Sequence, residues 1–280
     1  MADGGHVVVA GIDALGPAHG RLLFAVGVFD GIHLGHAYLL AELRRAARRL
    51  RARPAVVTFD AHPDEVLLGT APALVCDPDE RLVRLDGAGV AVTVVQHFDE
   101  ALRRTPYDAF VAALRRRVDL AGFLMTPDAA FGHRRAGTPG ALAALGTREG
   151  FAVVVVPALD LGGRAVRSSE IRAAVAAGDL DEAVRLLGRP FAVAGRRAAD
   201  PGSSVGPDRA RLVFDLPVAL PPAGPYRATI EPAWIPGRRH RCGAVRGRVV
   251  VEPDGSLTAH GAHQLPGSER LRVAFVEAGR

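Results

Sequence analysis

The chain reads as an α/β protein: a parallel sheet over residues 1–188, then a small antiparallel β barrel over 189–280. Three observations carry that expectation. Short apolar runs alternate with helical patterns as far as Gly188, the arrangement that builds a parallel sheet covered on both faces. From Arg189 helical periodicity disappears, Pro and Gly punctuate every few residues, and only short apolar runs remain. Within the first part, Leu22–Leu50 is a complete strand, turn and helix around which the rest can be organised.

Leu23–Phe29 is an unbroken apolar run suited to a strand buried on both faces, and it stops at Asp30 and Gly31, which favour a turn. The period then changes: Leu39, Leu40, Leu43, Ala46, Ala47 and Leu50 share one helical face, with Arg44, Arg45, Arg48 and Arg49 mostly opposite. Pro54–Phe59 follows as a second buried strand, and Asp77-Pro78-Asp79-Glu80 starts a helix with an N-cap, proline at the first position and an acid at the third. Ala91–Phe98 reads as a strand, Tyr107–Val118 as a helix and Gly122–Thr126 as a short strand. Thr138-Pro139 caps a helix running to Arg148, and Phe151–Pro157 is the most strongly apolar strand of all. In Arg167–Arg172 either serine can be the N-cap of a helix whose Ile171 and Val175 point inward. The later apolar runs are Phe191–Ala194, Arg211–Leu216, Tyr226–Ile230, Ala244–Val251, Ser256–His260 and Leu271–Val276, the pattern of a small barrel or sandwich.

The chemistry concentrates where the first helix begins. His33 and His36, three apart with Gly35 between them, can both point at one anion, because unpaired first-turn amides and the positive dipole end attract phosphate. Their work would be donation of hydrogen bonds to a phosphoryl group gaining charge in an in-line transition state; the bland alternative is a pair of surface histidines in a helix-starting turn. Ser168, Ser169 and Arg172 could hold a polyphosphate tail or merely cap a helix. Thr58–Pro63, with Asp60 and His62, admits two readings, a hold on a metal-bound triphosphate or a turn of the chain, and spacing alone does not separate these.

Composition narrows the field. Hydrophobic residues at 49% indicate a globular chain with a sizeable core. No apolar run spans a bilayer and no export signal is visible, so no membrane is expected and the cytoplasm is the default. Cys76 and Cys242 are too few and too far apart for a disulfide framework or a four-ligand zinc site. All 35 basic residues are Arg, and Lys and Asn are absent, which excludes a Schiff-base lysine and a Walker loop. The net charge of +5 sits in short Arg groups on helix faces with few aromatics, so no nucleic acid is expected. A homo-oligomer stays open.

VGVFDGIHLGH, TFDAHP, DAAFGHRRAG, VRSSEIR and DLDEAVRLLGRPFAVAG occur in the order seen in the adenylyltransferase module of bacterial bifunctional riboflavin kinase/FAD synthetases, which this chain resembles from Arg21 to Gly195. The resemblance implies a Rossmann-like nucleotidyltransferase sheet over 1–188, transfer of AMP from ATP to FMN, and magnesium on the phosphates with ligands unassigned. It also implies His33 and His36 as α-phosphate ligands, with Arg172 beside them in the catalytic set. Gly27, Phe29, Asp30, Gly31 and Gly35 would floor the nucleotide, and Ser168 and Ser169 would grip the outer phosphates. Asp128, Phe131 and Gly132, with His62, would face the flavin.

Departures from the family accompany the matches. Ala129 and Ala130 stand where an aromatic and a polar or basic residue are usual, His133 replaces a lysine, Arg167 a serine and Ala61 a proline. Loss of a ring removes stacking area for a flat ligand. Over 189–280 the resembled family carries its kinase barrel, of which Leu220–Tyr226 looks like a remnant, but the kinase's P-T-A-N segment has no counterpart, and Asp200–Asp208 looks like a shortened loop. The expectation is an FMN adenylyltransferase without riboflavin kinase activity. The alternatives are a related nucleotidyltransferase with a changed acceptor or nucleotide, and a non-catalytic flavin- or nucleotide-binding regulator.

Overall fold

The computed structural model describes residues 5–198, 209–237, 243–265 and 267–278. The stretch Asp200–Asp208 and Cys242 therefore lie outside the described residues. The chain forms two compact units. One is built from Met1–Phe29, Gly35–Pro72 and Arg84–Ala165, the other from Asp30–Leu34, Ala73–Val83 and Val166–Arg280.

The first unit is a six-stranded parallel sheet of β1 (Val7–Ala10), β2 (Arg21–Val26), β3 (Arg53–Phe59), β4 (Val92–Gln96), β5 (Asp119–Met125) and β6 (Ala152–Val155), in the order β1-β4-β3-β2-β5-β6. Helices α1 (Leu34–Arg49), α2 (Pro63–Leu68), α3 (Pro78–Gly87), α4 (Glu100–Arg104), α5 (Tyr107–Arg117) and α6 (Pro139–Glu149) occur along the connections. In β2 the consecutive residues Leu22, Leu23, Phe24 and Ala25 are all buried. Successive side chains point to opposite faces, so both faces of that strand are covered. Phe123 packs near Phe24, Phe131 and Phe151 in the core beside it, with ring centroids 5.4–6.4 Å apart. The order reverses at β2, with β3 on one side and β5 on the other. That is the kind of crevice, beyond the carboxyl ends of the strands, where open α/β sheets bind ligands.

Local chemistry explains the helix starts. Asp77 Oδ1 accepts the amides of Asp79 and Glu80 at 3.0 and 3.3 Å, capping α3, and Thr138 Oγ1 accepts that of Ala141 at 3.3 Å, capping α6. Two placements come from the structure alone. The strongly apolar run Phe151–Pro157 supplies an edge strand, β6, with Val155 48% exposed, since apolar content reports what the faces carry rather than how many neighbours a strand has. Residues 7–10, read from the sequence only for an export signal, form β1 at the other edge.

The second unit contains α7 (Ser168–Ala176), α8 (Leu180–Leu187) and a closed antiparallel barrel of β7 (Ala192–Arg197), β8 (Arg209–Val213), β9 (Gly224–Pro232), β10 (Val245–Val251), β11 (Leu257–His260) and β12 (Arg270–Ala278), ordered β10-β11-β8-β7-β12-β9. Each apolar run read after Arg189 supplies one of these strands. Alternate residues fill the interior, among them Leu212, Ile230, Val249, Leu257, Val273 and Phe275. Among the described residues no helix is long and apolar enough to cross a membrane.

The sheet register depends on one glycine. Gly122 in β5 has φ +144°, and a Cβ there would stand 1.9 Å from the Ala152 carbonyl oxygen of β6. Gly122→Ala is expected to lower stability by about 2 kcal/mol or more, read as a fall in the urea midpoint; an unchanged midpoint would show that β5 and β6 do not pair in this register.

Candidate active site

After β2 the chain makes a turn that only its surroundings can hold. Gly27 N–H still donates to Val57 O at 3.0 Å, and Thr58 Oγ1 donates to Val28 O at 2.9 Å. Phe29, Gly31 and Ile32 then adopt φ values of 54°, 86° and 38°. For an aromatic and a β-branched residue the left-handed region costs on the order of 1–3 kcal/mol each, and such outliers cluster at functional sites. The Phe29 ring is buried, with its centroid 5.1 Å from that of His36. A Cβ on Gly27 would sit 3.2 Å from that same Phe29 ring.

Asp30 is the anchor of the turn within the second unit. Its carboxylate, 3% exposed, accepts the amide of Val75 at 3.0 and 3.1 Å and that of Cys76 at 3.1 Å. Arg172 Nη2 lies 3.4 Å from it, and the Asp30 carbonyl accepts Ser168 Oγ–H at 2.8 Å. Burial raises the Asp30 pKa, against the pull of the Val75 amide, Arg172, the Cys76 amide and Arg81. Gly31 fits because a Cβ there would meet Val75 Cγ1 at 2.8 Å. Arg189 closes the turn from the other direction, donating to the carbonyls of Gly31 and Ile32, the latter at 2.9 Å.

His33 follows, 4% exposed. Burial, and after it the charge of Arg189, lowers its pKa to about 4, so at neutral pH it is an uncharged imidazole with one N–H to give. Ser168 departs from the capping expectation. The residue before α7 is Arg167, with no side-chain cap, and the Ser168 hydroxyl is committed to Asp30. Ser169 is exposed in the first turn, and Ile171 and Val175 are fully buried as expected. Gly35 lies in the first turn of α1, one residue before His36. Arg189 and the amides of Val75 and Cys76 are contributions that sequence reading missed. The amides carry no side-chain signal, whereas Arg189 stood inside a recognised motif.

In the first unit, Thr58 and Phe59 end β3 and Asp60–His62 turn the chain into α2, which His62 caps by accepting the Asp64 amide on Nδ1 at 3.2 Å. Asp60 instead pairs with His97 at 2.8 Å, which raises the exposed His97 pKa. The loop after β5 is tightly built. Phe131 packs 5.3 Å from Phe110 and 5.4 Å from Phe123 between ring centroids, and pairs through its backbone with Gly137. A Cβ on Gly132, at φ +76°, would lie 2.6 Å from the Tyr107 backbone nitrogen. Asp128 is exposed at the tip, accepting Thr126 Oγ1–H at 2.7 Å.

A family model for FAD synthetase matches residues 17–170. The bifunctional riboflavin kinase/FMN adenylyltransferase of Pseudomonas fluorescens is 36% identical over 193 residues, 68% of this chain and 61% of that protein. Its counterpart from Haemophilus influenzae is 34% identical over 173 residues, 61% of this chain and 56% of that protein. The alignments thus span about three fifths of the length of these curated relatives. A crystal structure of a macrolide-efflux protein from Streptococcus pneumoniae superposes with a TM-score of 0.76 at 22% identity, over 98% of this chain and 90% of that one, a likeness of fold alone.

The buried imidazole makes a titration testable. The unfolded chain takes up a proton on His33 near pH 6.5, whereas the folded chain resists until about pH 4. That part of the stability is present above pH 6.5 and is lost as pH falls toward 4, amounting to roughly 2 kcal/mol by about pH 4.5. His33→Gln should remove this component, so the difference in unfolding free energy between variant and parent should change by that amount between about pH 7.5 and pH 4.5 in urea titrations. A constant difference would mean that His33 is solvated.

Proposed function

Because the chain belongs to the FAD synthetase family, we propose that it is an FMN adenylyltransferase. A phosphate oxygen of FMN attacks the α-phosphorus of ATP, the bond to the β-phosphate bridging oxygen breaks, and FAD and pyrophosphate are formed. The observation that carries this reading is the tie from Asp30 to both Ser168 and Arg172, residues 138 and 142 positions downstream. It unites two separate phosphate-type motifs within one unit. The buried Arg172 Nε has no hydrogen-bond partner among the described residues, which leaves a charged donor for an anion.

In this reading the neutral His33, together with His36, donates hydrogen bonds to the α-phosphate as charge grows on it. Gly35 and the first-turn amides of α1 add dipolar attraction. Gly27, Phe29, Asp30 and Gly31 shape the nucleotide floor, Asp30 by holding the turn in place. Ser169 and Arg172 hold the outer phosphates, with Arg172 supplying permanent charge, while Ser168 gives its hydroxyl proton to the Asp30 carbonyl and steadies the turn. His62, Asp128, Phe131 and Gly132 shape the acceptor side. Among the described residues no three His, Cys, Asp or Glu side chains cluster as a metal cage. Magnesium would therefore arrive on the nucleotide phosphates, which is its usual mode, and would neutralise their charge. Riboflavin kinase activity is absent in this reading because no Asn exists anywhere in the chain to complete the kinase's P-T-A-N segment. A second reading, a changed acceptor, is favoured by Ala129 and Ala130 on the acceptor-side loop.

Pure protein with magnesium, ATP or CTP, and FMN or riboflavin should yield FAD and pyrophosphate from ATP and FMN only. Another dinucleotide would select the changed-acceptor reading, the absence of any dinucleotide and pyrophosphate would sink both, and phosphorylated riboflavin would refute the account of the barrel. His36→Ala should lower kcat by about 100-fold or more, with a smaller effect on nucleotide affinity. Unchanged turnover would assign His36 a structural role.

A further inference from the structure

The second unit contains a continuous series of contacts from the barrel to Asp30. On β12, Arg272 is almost fully buried and forms a two-pronged pair with Glu80 at 2.8 and 3.1 Å. Its remaining amino group reaches Glu231 of β9 at 2.8 Å, and its guanidinium lies 4.6 Å from the Trp234 ring centroid. Two residues earlier, Arg270 bridges Asp77 and Asp79, the latter at 2.8 Å. Asp77, Asp79 and Glu80 all belong to Ala73–Val83. The start of this segment is also fixed to the stretch between β8 and β9. Leu74 N–H donates to Pro217 O at 2.8 Å, and Ala219 N–H donates to Leu74 O at 2.9 Å. Between these two fixed points stand Val75 and Cys76, whose amides bind the Asp30 carboxylate.

We propose that the barrel serves as the positioning frame of the adenylyl-transfer turn. Arg270 and Arg272 are positioning residues that act through Asp77, Asp79 and Glu80, then through the Val75 and Cys76 amides, on Asp30 and so on His33. Hydrophobic packing alone would have covered β12 at lower desolvation cost, because buried ion pairs gain little net stability. What they add is direction: a two-pronged guanidinium fixes both the distance and the angle of its partner. Two amides must meet one carboxylate of a turn carrying two left-handed non-glycine residues, and a shift of about 1 Å in such a constellation is enough to slow chemistry substantially. This gives a barrel without a reaction of its own a reason to be retained, and it rests on the adenylyl-transfer reading.

The test uses Arg270, whose side chain is 36% exposed and can be shortened without emptying the core. In the full chain, Arg270→Gln should lower kcat for FAD formation by about 10-fold while KM for ATP stays within about threefold, the pattern of a misplaced transition-state contact. Hydrogen exchange over residues 73–80 should quicken in the same variant, and Arg270→Lys should restore most of both. Arg211→Gln, which breaks an exposed pair with Asp254 elsewhere in the barrel, should leave turnover within about twofold. Turnover of Arg270→Gln equal to that of the parent, or slowed without quicker exchange at 73–80, overturns the proposal. If the parent protein forms no FAD, the functional reading fails, and exchange decides the linkage alone: quickened exchange supports it and unchanged exchange overturns it.

Discussion

The structure turns on one buried carboxylate. Asp30 is held by two backbone amides and faced by a guanidinium, and its own carbonyl accepts a serine hydroxyl. A carboxylate in such a place loses its water, and burial accordingly raises its pKa. It remains tolerable because every partner is preorganised around it. Removing the side chain would strand two buried amides, each costing about 1–3 kcal/mol, and would release a turn whose left-handed residues have no local preference for their conformation. The conformation of the turn is thus a tertiary property of the whole unit.

The electrostatic design divides labour between donors and charge. His33 is kept uncharged by burial and by Arg189, so in the proposed reaction it would contribute an N–H rather than a cation. In the proposed reaction the cationic partner is Arg172. Such a division suits a reaction in which negative charge is redistributed rather than neutralised by proton transfer, because no group in the turn has to change its protonation state.

Much of this was legible from the sequence because it is local. The strand, turn and helix at Leu22–Leu50, the Asp77 and Thr138 caps and the six barrel runs all declare themselves through periodicity and capping chemistry within a few residues. The motifs around His33, Ser168 and Phe131 were legible through family resemblance. What escaped has long range or no side chain. The amides of Val75 and Cys76 are invisible in a sequence, and Arg189 reads as one of many arginines until its carbonyl partners in the turn are seen. Either Ser168 or Ser169 fits a cap, the commonest use of a serine before a helix, but Arg167 holds that position and a partner 138 residues away takes the Ser168 hydroxyl. The edge position of β6 likewise follows from topology, which apolar content does not encode.

The segments of the second unit lie far apart along the chain, and this has a bearing on biosynthesis. Arg270 and Arg272 meet partners 191–193 residues upstream, whereas the strands of the parallel sheet are complete at Val155. On a ribosome the sheet can therefore form while the Asp30 turn still lacks Ser168 and Arg172, and the segment at Ala73–Val83 waits longer for β12. Loop closure over such distances is slow relative to local helix and strand formation. The Asp30 turn is then among the last parts of the molecule to set, so a nascent chain carries a finished sheet before it carries a finished turn.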